Sequence, residues 1–279
     1  MLFRSLGKPI FQIVDDDAGA AEPPIAADLQ RLDLRHDREA GLSRLRDALT
    51  RLVLRDQNGF PWPPPADPGR PPYPGMLQFE DLDAAVFFGR DDDWRAVIER
   101  LTLRRVQGGP RLLALQGASG TGKSSLLRAG LIPRLRGAAG HGFLVVDPFR
   151  LDRQPLHSLA SQLAMAMERD GLTAQFSGDG TPEQLLDDCY RWRLHCRRQD
   201  AIVVLPIDQL EDLFSGSVEA GAIKRFLVFL ADLLTVPQGR VLVLATMRTD
   251  FLAVLEARRD ALQKEDANRR LTWQVEPIQ

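Results

Sequence analysis

The chain has 279 residues, 44% of them hydrophobic and 27% charged, with a formal net charge of −2. That length suits about one or two domains with a buried core, and the composition is that of a soluble globular chain. The near-zero charge gives no global attraction to nucleic acid or anionic membranes, and no apolar run is long enough to cross a bilayer.

The first 55 residues read as a small, partial α/β unit. Residues 9–14 form an apolar run bounded by Asp15, Asp16 and Asp17, the pattern of a short buried strand. Leu42, Leu45, Leu49 and Leu52 recur at spacings of three and four, one face of an amphipathic helix. One strand and one helix bury too little apolar surface to make a domain. Residues 5–11, residues 29–34 and the closing helix expected from about Asp37 to Leu54 resemble the C-terminal part of a TIR domain. The resemblance implies shared ancestry and an adaptor role. The elements that TIR domains use to cleave NAD lie upstream of this region, so no NADase activity is expected.

Eight prolines fall between Gln57 and Met76. Proline fixes φ and removes a backbone donor, so residues 56–76 are expected to be a semi-rigid linker ahead of a second domain over residues 77–279. The segment Phe87-Phe88-Gly89-Arg90 leads into Asp91, Asp92 and Asp93, which suit a helix N-terminus. Trp94, Val97, Ile98 and Leu101 then mark that helix's buried face.

The next stretch carries the chemistry. Apolar residues 112–115 precede Gly117-Ala118-Ser119-Gly120-Thr121-Gly122-Lys123-Ser124, and a helical pattern follows from Ser125. Strand, glycine loop and helix start are the context of a phosphate-binding P-loop. Its glycines let backbone N–H groups converge on phosphate oxygens, and the helix N-terminus adds partial positive charge. Lys123 would neutralise the β- and γ-phosphates, and the Ser124 hydroxyl would hold Mg²⁺. With four lysines against thirty-two arginines in the chain, a chance match is on the order of one in several hundred.

Strands then alternate with helices: strands at 143–146, 201–207, 240–247 and 271–275, helices at 155–167, from Thr181, at 222–234 and at 250–257. This alternation predicts an α/β fold with a parallel sheet covered on both faces. Cys189 and Cys196 are seven apart, which suits neither a zinc site nor a redox pair, so reduced thiols and a cytoplasmic location are expected.

Residues 201–207 end at Asp208, followed by Gln209, Leu210, Glu211 and Asp212. An apolar strand that delivers a carboxylate at its C-terminal edge fits a Walker B element, with Asp208 toward Mg²⁺ and Glu211 or Asp212 toward the attacking water. Pro206 lies within that strand and is expected to cost a ladder donor and force a bulge. The strand at 240–247 ends near Thr246 and Arg248, either of which could reach the γ-phosphate; pairing of Arg248 with Asp250 is an equal alternative.

Four ordered motifs now stand together: residues 78–90, the P-loop, residues 208–214 and residues 247–251. They resemble the novel STAND NTPase domain, a signalling relative of the AAA+ ATPases, over about residues 72–279. The resemblance implies a P-loop three-layer sandwich with sheet order 5-1-4-3-2. It also implies that Phe88, Gly89 and Arg90 lie near the adenine of ATP or ADP, while Ser125 completes the loop's binding set. The expected activity is an ATP-dependent, slowly hydrolysing switch in bacterial signalling or defence, with self-association or TIR/STAND-type partners. A non-hydrolysing nucleotide scaffold is the alternative. A GTPase ranks lower, because the only asparagines are Asn58 and Asn268 and no Asn-Lys-x-Asp signature occurs. The family usually continues beyond the point where this chain stops, so a central fragment of a TIR–STAND–sensor protein is expected.

Overall fold

Short apolar segments pair in parallel throughout the chain, so connections must cross over the sheet faces. The computed structural model describes residues 11–14, 30–33, 39, 42, 59–75, 77–137, 142–237, 239–266 and 270–278, and it divides into units 1–72 and 73–279. In the first unit β1 (Phe11–Val14) pairs in parallel with β2 (Gln30–Asp33). Of the helix expected at 37–54, Glu39 and Leu42 are helical; Leu45, Leu49 and Leu52 lie outside the described residues. Residues 59–75 hold neither helix nor strand. They are not a simple extended spacer, because Asp67 N–H donates to Pro64 O at 3.0 Å and Arg70 N–H to Asp67 O at 3.2 Å.

In the second unit a single 3-10 turn (Asp81–Asp83) precedes α1 (Asp91–Gln107). Three aspartates in its first turn and two arginines in its last complement the helix dipole. Val97 and Leu101 are fully buried, and Trp94 and Ile98 pack partly buried beside them. Then come β3 (Leu112–Gly117) and α2, which is α-helical over Lys123–Ser125, π-helical over Leu126–Leu131 and α-helical again over Ile132–Arg136. The chain continues through β4 (Phe143–Val145), α3 (Pro155–Arg169), α4 (Pro182–His195) and β5 (Ile202–Ile207). It closes with α5 (Ala220–Thr235), β6 (Val241–Arg248), α6 (Leu252–Glu265) and β7 (Trp273–Pro277).

The five strands lie in the order β4-β5-β6-β3-β7, all parallel. Counted from β3 as the first, this is the predicted 5-1-4-3-2. Side chains alternate between faces along each strand. Leu113, Leu115, Val204 and Leu244 pack with Val97, Leu101, Leu126 and Leu131 on one face. Leu112, Ala114, Val203, Leu205 and Val243 pack with residues of α3, α4 and α5 on the other. The result is a three-layer sandwich whose core sits on both faces of the sheet.

Pro206 does not bulge its strand: β5 stays in register with β6, Pro206 opposite Leu244. Its carbonyl faces the β4 side, where it accepts from Phe149 N–H at 3.1 Å. There β4 has ended at Val145, leaving one bridge between Phe149 and Ile207. The missing donor therefore falls where the ladder has lapsed.

One buried acid outside the sheet holds a loop. Asp188 is fully buried and accepts from the N–H groups of Gln175 and Phe176 at 2.8 and 2.7 Å, with Arg191 as its ion-pair partner. Asp188→Ala is expected to destabilise the chain by roughly 3 kcal/mol in urea unfolding, since three donors lose their acceptor at once.

Candidate functional site

The turn between β3 and α2 is built by its glycines. Gly120 and Gly122 have φ of +81° and +78°, the left-handed region that L side chains avoid. At Gly117 a Cβ would stand 2.7 Å from Thr121 Oγ1 and 2.9 Å from Ile278 O, so only glycine fits. The loop is closed by Thr121 Oγ1 donating to Ala118 O at 3.0 Å, and Arg90 Nη2 donates to Thr121 O from outside. Lys123 is buried, and its Nζ donates to Gly117 O at 2.9 Å and Ala118 O at 2.6 Å. Burial lowers the Lys123 pKa, opposed mainly by the carboxylate of Glu211. The ammonium thus lies across the loop, while the first-turn N–H groups of α2 have no intrahelical acceptors.

At the carboxyl end of β5, Asp208 is 1% exposed. Its Oδ1 accepts from Ser124 Oγ at 2.8 Å and Thr246 Oγ1 at 2.7 Å, and its Oδ2 from Arg128 Nε at 3.1 Å. A buried carboxylate is tolerated only with such compensation. Thr246 does not face the cavity as the sequence suggests. It is fully buried and also accepts the Gln209 N–H at 2.7 Å, so its hydroxyl orients Asp208. Gln209 itself has φ +60°, a left-handed conformation unusual for a side-chain-bearing residue, which turns the chain sharply between Asp208 and Glu211.

Glu211 is buried and accepts the Arg248 N–H at 3.3 Å. Burial raises its pKa, and the hydrogen bonds and the Lys123 charge only partly oppose this. Asp212 is held by Arg150, from both Nε and Nη2 at 2.8 Å. The Arg248 side chain pairs with Asp250 at 3.0 and 2.6 Å, the alternative weighed from the sequence.

One cavity of about 460 Å³ lies above this strand edge, with Ser119, Gly120, Gly122, Lys123, Ser124 and Ser125 on the loop side. Gln209, Glu211, Asp212 and Arg248 face them, and Leu77 and Gln78 close the rim. Phe88, Gly89 and Arg90 do not line it; Phe88 is 57% exposed, and Arg90 braces the loop. Ser125 has a second task, since its Oγ accepts the Phe79 N–H at 3.1 Å. A cavity of similar size lies at the opposite strand edge among Arg104, Arg105, Arg111 and Arg240, with no carboxylate in its wall. Open α/β sheets bind ligands at the carboxyl edge, where the first cavity sits.

Sequence reasoning did not assign Arg128, Glu80, Arg150, Leu77 or Gln78 to the site, although Gln78 and Glu80 fall within the first of the four motifs. Arg128 stands four residues after Ser124 on the helix, the spacing of neighbours on one face, and that signal was available. The others meet the site only through tertiary packing.

The donor set suits a triphosphate with a divalent cation. Among the described residues no group of three or more His, Cys, Asp or Glu could hold a metal by itself. Mg²⁺ is typically held by one or two protein oxygens together with substrate phosphates, and the touching Ser124 and Asp208 match that requirement. Among the described residues no helix is long and apolar enough to cross a membrane.

Residues 72–277 match the family model of Novel STAND NTPase 1. Among solved structures the chain is similar to the Walker-type ATPase PABY2304 of Pyrococcus abyssi, at 16% identity and a TM-score of 0.48, over 73% of this chain and 57% of that one. It is also similar to the ORC2 protein of Aeropyrum pernix in its ADPNP–ADP complexes, at 16% identity and a TM-score of 0.40, over 68% and 48%. The chain spans about half the length of these two proteins. No curated protein matches it. The family match takes in about three quarters of the residues, and the chain belongs to the Novel STAND NTPase 1 family.

Proposed function

We propose that this chain is an ATP-binding, slowly ATP-hydrolysing switch of bacterial signalling or defence. The observation that carries the reading is the convergence on one cavity of Lys123, Ser124 and the buried Glu211, with Asp208 hydrogen-bonded directly behind Ser124. The loop N–H groups and Lys123 would bind the β- and γ-phosphates, and Ser124 and Asp208 would hold Mg²⁺, which when bound neutralises charge on phosphate oxygens. Glu211, the carboxylate here whose pKa burial raises, is the candidate to accept a proton from water. To act as a switch, the chain must hold ATP and ADP differently in two states, one of them competent for self-association or for TIR/STAND-type partners. A TIR ancestry of residues 1–55 belongs to this proposal, supported by the parallel pairing of β1 with β2.

The non-hydrolysing scaffold keeps a specific observation in its favour: Asp212 and Arg248 are both engaged by partners, leaving Glu211 to act alone. Calorimetric titration of the purified chain with ATP, ADP and GTP, with and without Mg²⁺, is expected to show Mg²⁺-enhanced ATP binding. Phosphate release measured beside it separates switch from scaffold. No ATP binding at millimolar concentration would end both readings, and tighter binding of GTP would reverse the base preference.

A further inference from the structure

Arg128 has no part in the reading above, yet it joins three separate segments. Its Nε donates to Asp208 Oδ2 at 3.1 Å, its Nη1 to Glu80 Oε2 at 3.1 Å and its Nη2 to Pro148 O at 3.4 Å. The side chain is 17% exposed, and the buried Asp208 beside it is 1% exposed. A planar guanidinium can bridge two carboxylates in fixed orientation, whereas an ammonium is a point charge on a flexible stem. The bridge continues beyond Glu80, whose Oε1 accepts Gln78 Nε2 at 2.8 Å. Gln78 and Leu77 wall the cavity, and Phe79 between Gln78 and Glu80 is pinned by its N–H to Ser125 Oγ.

A continuous hydrogen-bonded line therefore runs from the buried acid behind Ser124 to the cavity rim: Asp208, Arg128, Glu80, Gln78. We infer that Arg128 is a positioning residue that fixes the Asp208 carboxylate for the divalent cation and, through Glu80, holds the Gln78–Glu80 strap as a wall of the nucleotide cavity. This rests on the cavity being a nucleotide site. The two arms have separable signatures. The Asp208 arm governs how much Mg²⁺ strengthens ATP binding, and the Glu80 arm governs retention of nucleotide whether or not Mg²⁺ is present.

The test is calorimetric titration of the full chain with ATP, each variant measured with and without Mg²⁺, beside thermal unfolding of the nucleotide-free protein. Removing a partner that orients a metal ligand typically costs ten- to a hundredfold in affinity. Glu80→Gln is expected to weaken ATP binding about tenfold equally in both conditions. Arg128→Gln is expected to lose that factor and, in addition, about tenfold of the Mg²⁺ enhancement, which Arg128→Lys restores only in part. The double variant is expected to match Arg128→Gln alone, because both effects run through one guanidinium. Wild-type chain that fails to bind ATP would remove the nucleotide reading itself. Binding wild type with an unchanged Mg²⁺ enhancement in Arg128→Gln, or additive losses in the double variant, would overturn the coupling alone. Should Arg128→Gln fail to fold, the Glu80→Gln and Arg128→Lys titrations decide: unchanged ATP affinity in both overturns the inference.

Discussion

Replacing Lys123 with alanine is expected to weaken ATP binding by about a hundredfold or more. A charge-assisted hydrogen bond contributes roughly 1.5–3 kcal/mol, and tenfold in affinity corresponds to about 1.4 kcal/mol, so losing contact with two phosphates reaches that range. The same change should leave the fold nearly intact. The ammonium donates to the carbonyls of Gly117 and Ala118, and burial lowers its pKa. Its removal is expected to shift unfolding free energy by no more than about 1 kcal/mol. Titration of the variant with ATP and a denaturant melt of the same sample would check both halves. Unchanged ATP affinity would mean that the triphosphate does not sit in this loop.

Glu211→Gln is expected to lower phosphate release by about 10²- to 10⁴-fold while ATP affinity stays within a few-fold, the pattern of a lost proton acceptor. A base works ionised, so with its pKa raised by burial the wild-type rate should climb with pH through a window above the ordinary glutamate range. Stability runs the other way. A carboxyl that holds its proton more tightly folded than unfolded contributes stability below the unfolded pKa and loses it as pH rises through the folded one. Wherever Glu211 is ionised, its burial is therefore a cost, which glutamine removes. The variant should melt at the same or a higher temperature than wild type at pH 7, with the difference closing in acid. A variant that melts lower at pH 7, or that still releases phosphate at the wild-type rate, would exclude Glu211 from this role.

Much of the fold is legible in the sequence, because its strands are contiguous apolar runs and its helices carry a clear buried face. The run at 112–115 and the glycine loop after it are local, and the left-handed turns at Gly120 and Gly122 follow from residue type. Sheet order was not local: it came from the family resemblance, since spacing alone does not say that β6 lies between β3 and β5. Side-chain engagement was least legible. Arg150 closing on Asp212 joins residues 62 apart, and Arg128 reaching Glu80 spans 48. The cavity rim is a similar case. The family resemblance implied the adenine beside Phe88, yet the rim is made by Leu77 and by Gln78 at the start of the same motif.

Pro206 sits where β5 borders an irregular stretch of the neighbouring chain. Beyond Val145 the neighbouring chain stays tied to β5 through Val146 N–H to Val204 O and Phe149 N–H to Pro206 O, both at 3.1 Å, while the segment bearing Pro148 between them leaves regular strand pairing. That departure leaves the far flank of Asp208 approachable from helix α2, where a guanidinium enters and also finds the Pro148 carbonyl. A fourth strand extended by two more residues would have filled the gap with backbone and left the acid solely to the hydroxyls on its other side.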